Sequence, residues 1–405
     1  MKRSRIRNLD RRLLTILLIV FVQMLGGSMV LPILPLYAQR DFHLTPPVIT
    51  LLVSSYFMAQ FVAGPPLGRL SDTRGRLPIL IISQIGTTAS FVMLALAQSA
   101  TMLFAARILD GITGGNIIVA QAYITDITPR ERRTEVLGYI FAAFGLGFIF
   151  GPAIGGVVSA FLGEQAPFWV AAAVTLITVL LTWLTLDETL TAEQQEANRR
   201  VGRDGINPAA IIRNVPLLLI LLVAFVAQFG MGLLQSTFAL FGDAVLFAGY
   251  DPKTVNLGIG LLLATVGLTQ FLTQSLLLRP LLKRYGEATL VIAGNILRVA
   301  GMLLFAVAAT PLVGFFGVIA FPLGVGIMMP SLQSLATRTT ADELRGGVLG
   351  LYQSAISLSI IFGTALGGVL FAVAPAIPYW VGAVLGAAAT LPAIVLWRQS
   401  KAGKL

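Results

Sequence analysis

Apolar residues run through this chain in long unbroken stretches, not in the half-polar stripes of helices that face water on one side. A helix needs about 20 apolar residues to cross a bilayer. Twelve stretches reach that length, at roughly 13–37, 47–67, 77–99, 101–125, 137–162, 167–186, 215–242, 255–278, 288–309, 311–336, 347–372 and 376–397. The pattern predicts an all-α integral membrane protein with twelve transmembrane helices. The first stretch follows Met1-Lys2-Arg3-Ser4-Arg5, a start that secretory signals share. It is far longer than a signal's apolar core and lacks a clear cleavage site, so it is expected to stay as the first helix.

Composition agrees. Of 405 residues, 56% are hydrophobic and 11% charged, against about 25% charged in soluble domains. The mean hydropathy is +0.86. The 41 glycines and 20 prolines suit membrane helices, which tolerate both.

A net charge of +10 raises the question of nucleic acid, but the basic residues fall in short clusters between apolar runs and form no binding stripe. With the N-terminus placed inside, 24 of the 28 Lys and Arg lie in inner segments. Only Arg40 and Lys253 fall in outer loops, while Arg107 and Arg298 fall within spans. That bias predicts both termini in the cytoplasm of a cell's inner (plasma) membrane. No cysteine and a single histidine, His43, leave no thiol chemistry and no metal or cofactor site to expect. Hydrolase and nucleotide-binding motifs are missing as well, so neither an enzyme nor an ATP-driven pump is expected.

The one long polar connection, about 187–212, divides the spans six and six. The predicted domains are 1–190, a linker at 191–212 and 213–405. The linker is read as a surface segment without chemistry of its own. The halves share a register. Val136-Leu137-Gly138 and Gly151-Pro152-Ala153-Ile154-Gly155-Gly156 recur as Val348-Leu349-Gly350 and Gly363-Thr364-Ala365-Leu366-Gly367-Gly368, a shift of 212 residues. Gln23 maps to Gln235 by the same shift. A parallel repeat of six spans is the plan of transporters that work by alternating access.

The loop after the second span reads Gly68-Arg69-Leu70-Ser71-Asp72-Thr73-Arg74-Gly75-Arg76. Gly68 permits close helix approach, Gly75 a tight turn, and Asp72 with Arg76 a charge-assisted latch. This loop resembles the major facilitator superfamily, whose G-x-L-x-D-x-x-G-R signature it matches at every fixed position. The resemblance implies two pseudo-symmetric six-helix bundles. It also implies that Asp72 faces a helix start near Gly346-Gly347, and it makes Asp126 the partner of Arg76. The second half keeps only Leu281-Leu282-Lys283-Arg284-Tyr285-Gly286, without the aspartate.

The fifth span carries Gly147, Gly151, Pro152, Gly155 and Gly156, similar to the G-x-x-x-G-P-x-x-G-G element of the superfamily's antiporter and drug-efflux branches. Small residues allow close packing and Pro152 a kink. In the fourth span Arg107-Ile108-Leu109-Asp110-Gly111 is similar to the family's R-x-x-x-G element, whose arginine is implicated in proton coupling. A charge at membrane depth costs roughly 2.5–3.5 kcal/mol on insertion scales. Arg107 and Asp110, three residues apart, are therefore expected to pair and to carry coupling.

The first span departs from the pattern of tetracycline-type and related drug:proton antiporters. Gln23 stands where those often place an aspartate, and an amide carries no proton. For the pocket, Gln228, Met231, Gln235 and Phe238 share a helical face by their spacing. Gln333 and Gln353 add amides from the tenth and eleventh spans. Arg298 is expected to snorkel towards the inner face.

The resulting expectation is a monomeric secondary transporter that exports small lipophilic compounds in exchange for protons, with the lipid bilayer as its other partner. The rival is a facilitator or proton symporter for a neutral metabolite.

Overall fold

Hydrocarbon offers no partner to a backbone N–H or C=O, so a membrane chain must satisfy both within itself. The computed structural model does this with helices, and no strand occurs among the described residues, 2–114, 116–128, 133–200, 214–339 and 345–402. Contacts divide the chain into two compact units, residues 1–43 with 55–203 and residues 44–54 with 204–405.

The first unit is built from α1 (Lys2–Arg40), most of α2 (Pro46–Arg74), α3 (Arg76–Ala95), α4 (Ala100–Thr113), α5 (Asn116–Ile127), α6 (Arg133–Leu162) and α7 (Ala166–Thr185), with the short polar α8 (Ala192–Arg200) after them. The second comprises α9 (Val215–Phe241), α10 (Pro252–Leu272), α11 (Leu278–Tyr285), α12 (Glu287–Ala306), α13 (Pro311–Arg338), α14 (Arg345–Val373) and α15 (Ile377–Lys401). A π-helical turn, Gly242–Leu246, ends α9, and another, Thr273–Leu277, joins α10 to α11. The first turns of α2 belong to the second unit: Gly368 N donates to Thr50 Oγ1 at 3.0 Å and Ser54 Oγ to the Ile361 carbonyl at 3.1 Å.

Among the described residues, eleven helical stretches are long and apolar enough to span a membrane. The twelfth, the fourth in order, is broken into α4 and α5, each too short alone. The break begins at Gly114, whose carbonyl accepts from Gln60 Nε2 at 3.2 Å, so a side chain satisfies a backbone group that leaves the helix.

Inside the first unit Ile16, Ile19, Leu80, Val119, Tyr123 and Ile140 form the core; in the second it is Ile220, Val223, Val291, Met328, Leu332 and Leu396. Outward, Leu14, Val62, Leu162, Leu184, Val373 and Leu391 are each more than half exposed. An apolar core under an apolar coat is the arrangement of a protein whose solvent is lipid.

Candidate functional site

Four places gather the residues singled out above. The first is the joint between α2 and α3. Gly75 takes φ +104°, a conformation that side chains disfavour, and turns the chain between the two helices. Arg76, the first residue of α3, is buried. Its Nη1 lies 2.5 Å from Asp72 Oδ1 and donates to Ser71 Oγ at 2.8 Å, while Nε donates to Asp126 Oδ2 at 3.0 Å. One guanidinium thus ties the end of α2 to the end of α5 through two carboxylates. The expected partners meet.

Two expectations change here. A side chain at Gly68 would meet nothing within 4 Å among the described residues, so no close helix contact is seen at this glycine there. The polar connection 187–212, read as chemically silent, supplies Glu188. Its carboxylate accepts from the backbone N–H of Arg76 at 2.9 Å and of Leu77 at 3.0 Å. An anion is favoured at that helix start, where free N–H groups and the helix dipole coincide. Thr189 Oγ1 adds a bond to Asp126 Oδ2 at 3.2 Å. The anticipated approach of Asp72 to the helix start near Gly346 involves the segment 340–344, which lies outside the described residues.

The second place is on α4, in the stretch read as the fourth span. Arg107 and Asp110 are buried on one face of α4, with Nη1 to Oδ2 at 2.7 Å. The guanidinium carbon sits 4.3 Å from the centre of the Tyr56 ring on α2, a cation–π contact. Tyr56 OH accepts from Gln60 Nε2 at 3.1 Å, the same amide that reaches the Gly114 carbonyl. Arg107 Nε has no acceptor among the described residues. The pair is neutral as a whole and is held against the broken end of α4.

The third place is the contact of α6 with α1. A Cβ at Gly147 would come within 2.5 Å of Met24 Cβ, one at Gly151 would overlap Ser28 Oγ, and one at Gly155 would lie 2.8 Å from the Met29 carbonyl oxygen. Ser28 Oγ donates to the Gly147 carbonyl at 2.9 Å. Spaced by four, these three glycines make a groove into which residues 24–29 of α1 fit. Pro152 and Gly156 are buried beside them. In the second unit Gly363 and Gly367 of α14 meet Gly232 and Ser236 of α9 in the same way.

The fourth is the set of amides. Gln23 is buried. Gln228, Met231 and Gln235 lie half-buried along α9, and Gln235 Oε1 is shielded with no donor in reach among the described residues. Gln333 on α13 and Gln353 on α14 are exposed. Phe238 separates from this group. It is buried in the core of the second unit, edge-on to Phe305 with ring centres 5.6 Å apart. Seven residues after Met231 it lies only about 20° around the helix from that residue, so its packing against Phe305, not its angular position, takes it into the core.

Arg298 also departs from expectation. It does not snorkel: it is 1% exposed. Nη1 donates to Asn295 Oδ1 and Nη2 to the Ala227 carbonyl, both at 3.0 Å.

The chain matches the model of the Major Facilitator Superfamily over residues 16–258 and 233–404. It is 32% identical to the class C tetracycline resistance protein of Escherichia coli, covering 96% of this chain and 97% of that one. It is 28% identical to multidrug resistance protein 2 of Bacillus subtilis, covering 87% of this chain and 86% of that protein. Among solved structures it resembles the nucleoside transporter NupG with a TM-score of 0.75 at 14% identity, over 96% of this chain and 99% of that one. With the signature loop, the two helical units and these similarities together, the chain belongs to the Major Facilitator Superfamily.

Proposed function

We propose that this protein exports small lipophilic compounds by alternating access, in exchange for protons. The observation that carries export is the similarity, over nearly the whole chain, to proteins named for tetracycline and multidrug resistance. The geometry supports the rest. The two halves, 1–190 and 213–405 with the linker 191–212 between them, carry the same glycine groove. Arg76, Asp72, Asp126 and Glu188 form a joint suited to holding one conformation and releasing it. Both termini face the cytoplasm of the inner membrane by the distribution of Lys and Arg, and the protein acts as a monomer without cofactor or catalysis.

Asp110 is the carboxylate placed for coupling. Protonation removes its charge and leaves Arg107 over the Tyr56 ring without a counter-ion, so the two protonation states favour different packings of α4. One net charge moved across 100 mV supplies about 2.3 kcal/mol, enough for about 50-fold accumulation.

A facilitator is the second reading, favoured by Gln23, an amide at a buried position of α1 that cannot carry a proton. Purified protein in liposomes, given tetracycline, ethidium and acriflavine with and without an imposed pH gradient, separates the two. Gradient-dependent accumulation supports exchange for protons; simple equilibration supports the facilitator; no movement of any compound overturns export.

A further inference from the structure

Arg298 and Arg107 are built alike and charged differently. Each is an arginine at membrane depth with a polar partner three residues away on its own helix and an aromatic ring beneath it. For Arg107 these are Asp110 and Tyr56. For Arg298 they are Asn295 and Phe321, whose ring centre lies 5.6 Å from the guanidinium carbon. The difference in charge comes from one functional group: a carboxylate in the first unit, an amide in the second.

The consequence is a fixed cation without a counter-ion among the described residues. Asn295 Oδ1 and the Ala227 carbonyl satisfy two N–H groups but neutralise nothing, and no carboxylate lies within ion-pair distance of Arg298 among the described residues. Its Nε–H has no acceptor there either. Such a charge is costly at this depth unless something offsets it. The fold has also made room for it. A Cβ at Gly230 would sit 3.0 Å from Nη2, and one at Gly324 3.0 Å from Arg298 Cγ. Asn295 is fixed in turn, Nδ2 donating to the Gly386 carbonyl at 2.7 Å and to Thr390 Oγ1 at 2.9 Å. The guanidinium thus rests on the α9 turn 227–230, which carries Gln228 and leads into Met231.

We propose that Arg298 gives the second unit an uncompensated positive charge that selects substrates bearing an anionic group, such as a carboxylate or enolate, over neutral or cationic analogues. The inference rests on the export reading and narrows it to a substrate class. Direct contact is not required. Across about 10 Å of protein with an effective dielectric near 20, one unit charge still changes affinity by roughly ten-fold.

The test compares dansylglycine, an anion, with its neutral amide, using wild type and three variants of the full-length protein in liposomes alongside tetracycline. Wild type is expected to favour the anion by about ten-fold. Arg298→Lys keeps the preference; Arg298→Met and Asn295→Asp both bring the ratio near one, the latter by copying the Arg107–Asp110 pair. Thermal melting identifies any variant that fails to fold, and the remaining variants decide. A wild-type ratio near one, or an unchanged ratio in Arg298→Met and Asn295→Asp while tetracycline is still exported, overturns the charge assignment alone and leaves Arg298 as a brace between α9 and α12. Absence of export of tetracycline and both probes overturns the export reading and this inference with it.

Discussion

The carboxylate of Glu188 occupies the space that a side chain on residue 75 would need: a Cβ there would lie 2.4 Å from Glu188 Oε2. Glycine at 75 is therefore required twice, by its φ of +104° and by the anion beside it. Gly75→Ala is expected to cost about 1–3 kcal/mol in strain and to expel Glu188 from the start of α3. A lower melting temperature together with reduced export checks this. Glu188→Ala, which removes the carboxylate without straining the backbone, is expected to lose about 1 kcal/mol, the worth of a helix cap. Equal stability of Glu188→Ala and wild type would show that the capping contributes nothing.

Asp72 meets Arg76 alongside Asp126 and Glu188, so its removal leaves the joint connected but weaker. Asp72→Asn is expected to slow turnover, because charge-assisted bonds are roughly twice as strong as neutral ones, while ligand affinity stays close to wild type. Equilibrium binding and initial export rates on the same preparation separate these effects. Unchanged turnover would dismiss the latch.

The α6 groove makes a sharper steric prediction. Gly151→Val forces a side chain into Ser28 Oγ and the Leu25 carbonyl. Overpacking of this kind costs about 1–3 kcal/mol. Gly27→Ala, on the helix that fills the groove, meets nothing within 4 Å and should melt like wild type. The contrast between two glycines close in space is the control: equal melting of the two variants would remove the groove from the account.

Asp110→Asn keeps the size of the side chain and an oxygen that can accept from Arg107, but loses the proton site. Accumulation driven by a pH gradient is expected to vanish while exchange down a substrate gradient persists. Retained pH-driven accumulation would exclude Asp110 as the carrier and leave that role to Asp126 or to Asp243, in the π-helical turn that ends α9.

Much of this was legible in the sequence, and the failures have physical causes. The spans are visible because lipid demands about 20 consecutive apolar residues. The Asp72–Arg76 pair is four residues apart across the Gly75 turn, and the Arg107–Asp110 pair is three apart on α4, so both are local and short spacing brings them together. Glu188 was missed because its partners lie 112 and 111 residues away, and a carboxylate in a polar linker carries no local sign of them. A helix start led by a glycine of positive φ, with no acidic residue in its own first turn, was the available hint. Arg298 was misjudged because snorkelling is the default for an arginine in an apolar run; the nearby Asn295, Gly230 and Gly324 are what make burial possible, and only the packing reveals that they converge.

Of the two amides on α9, Gln235 has the less satisfied side chain. Its Oε1 is shielded and lacks a donor among the described residues, a state that costs about 1–3 kcal/mol unless a partner arrives. A ligand carrying a hydroxyl or amide N–H is the partner that the export reading supplies. Gln235→Leu removes the unsatisfied oxygen, so the unliganded protein should be as stable as wild type or slightly more so. Polar ligands should bind on the order of ten-fold more weakly, the loss expected for one buried hydrogen bond. Purely apolar ligands, which never used the amide, should keep their affinity. Binding curves for tetracycline and for an apolar dye on the same variant distinguish a pocket residue from a packing one: parallel losses for both ligands would assign Gln235 to the framework of α9.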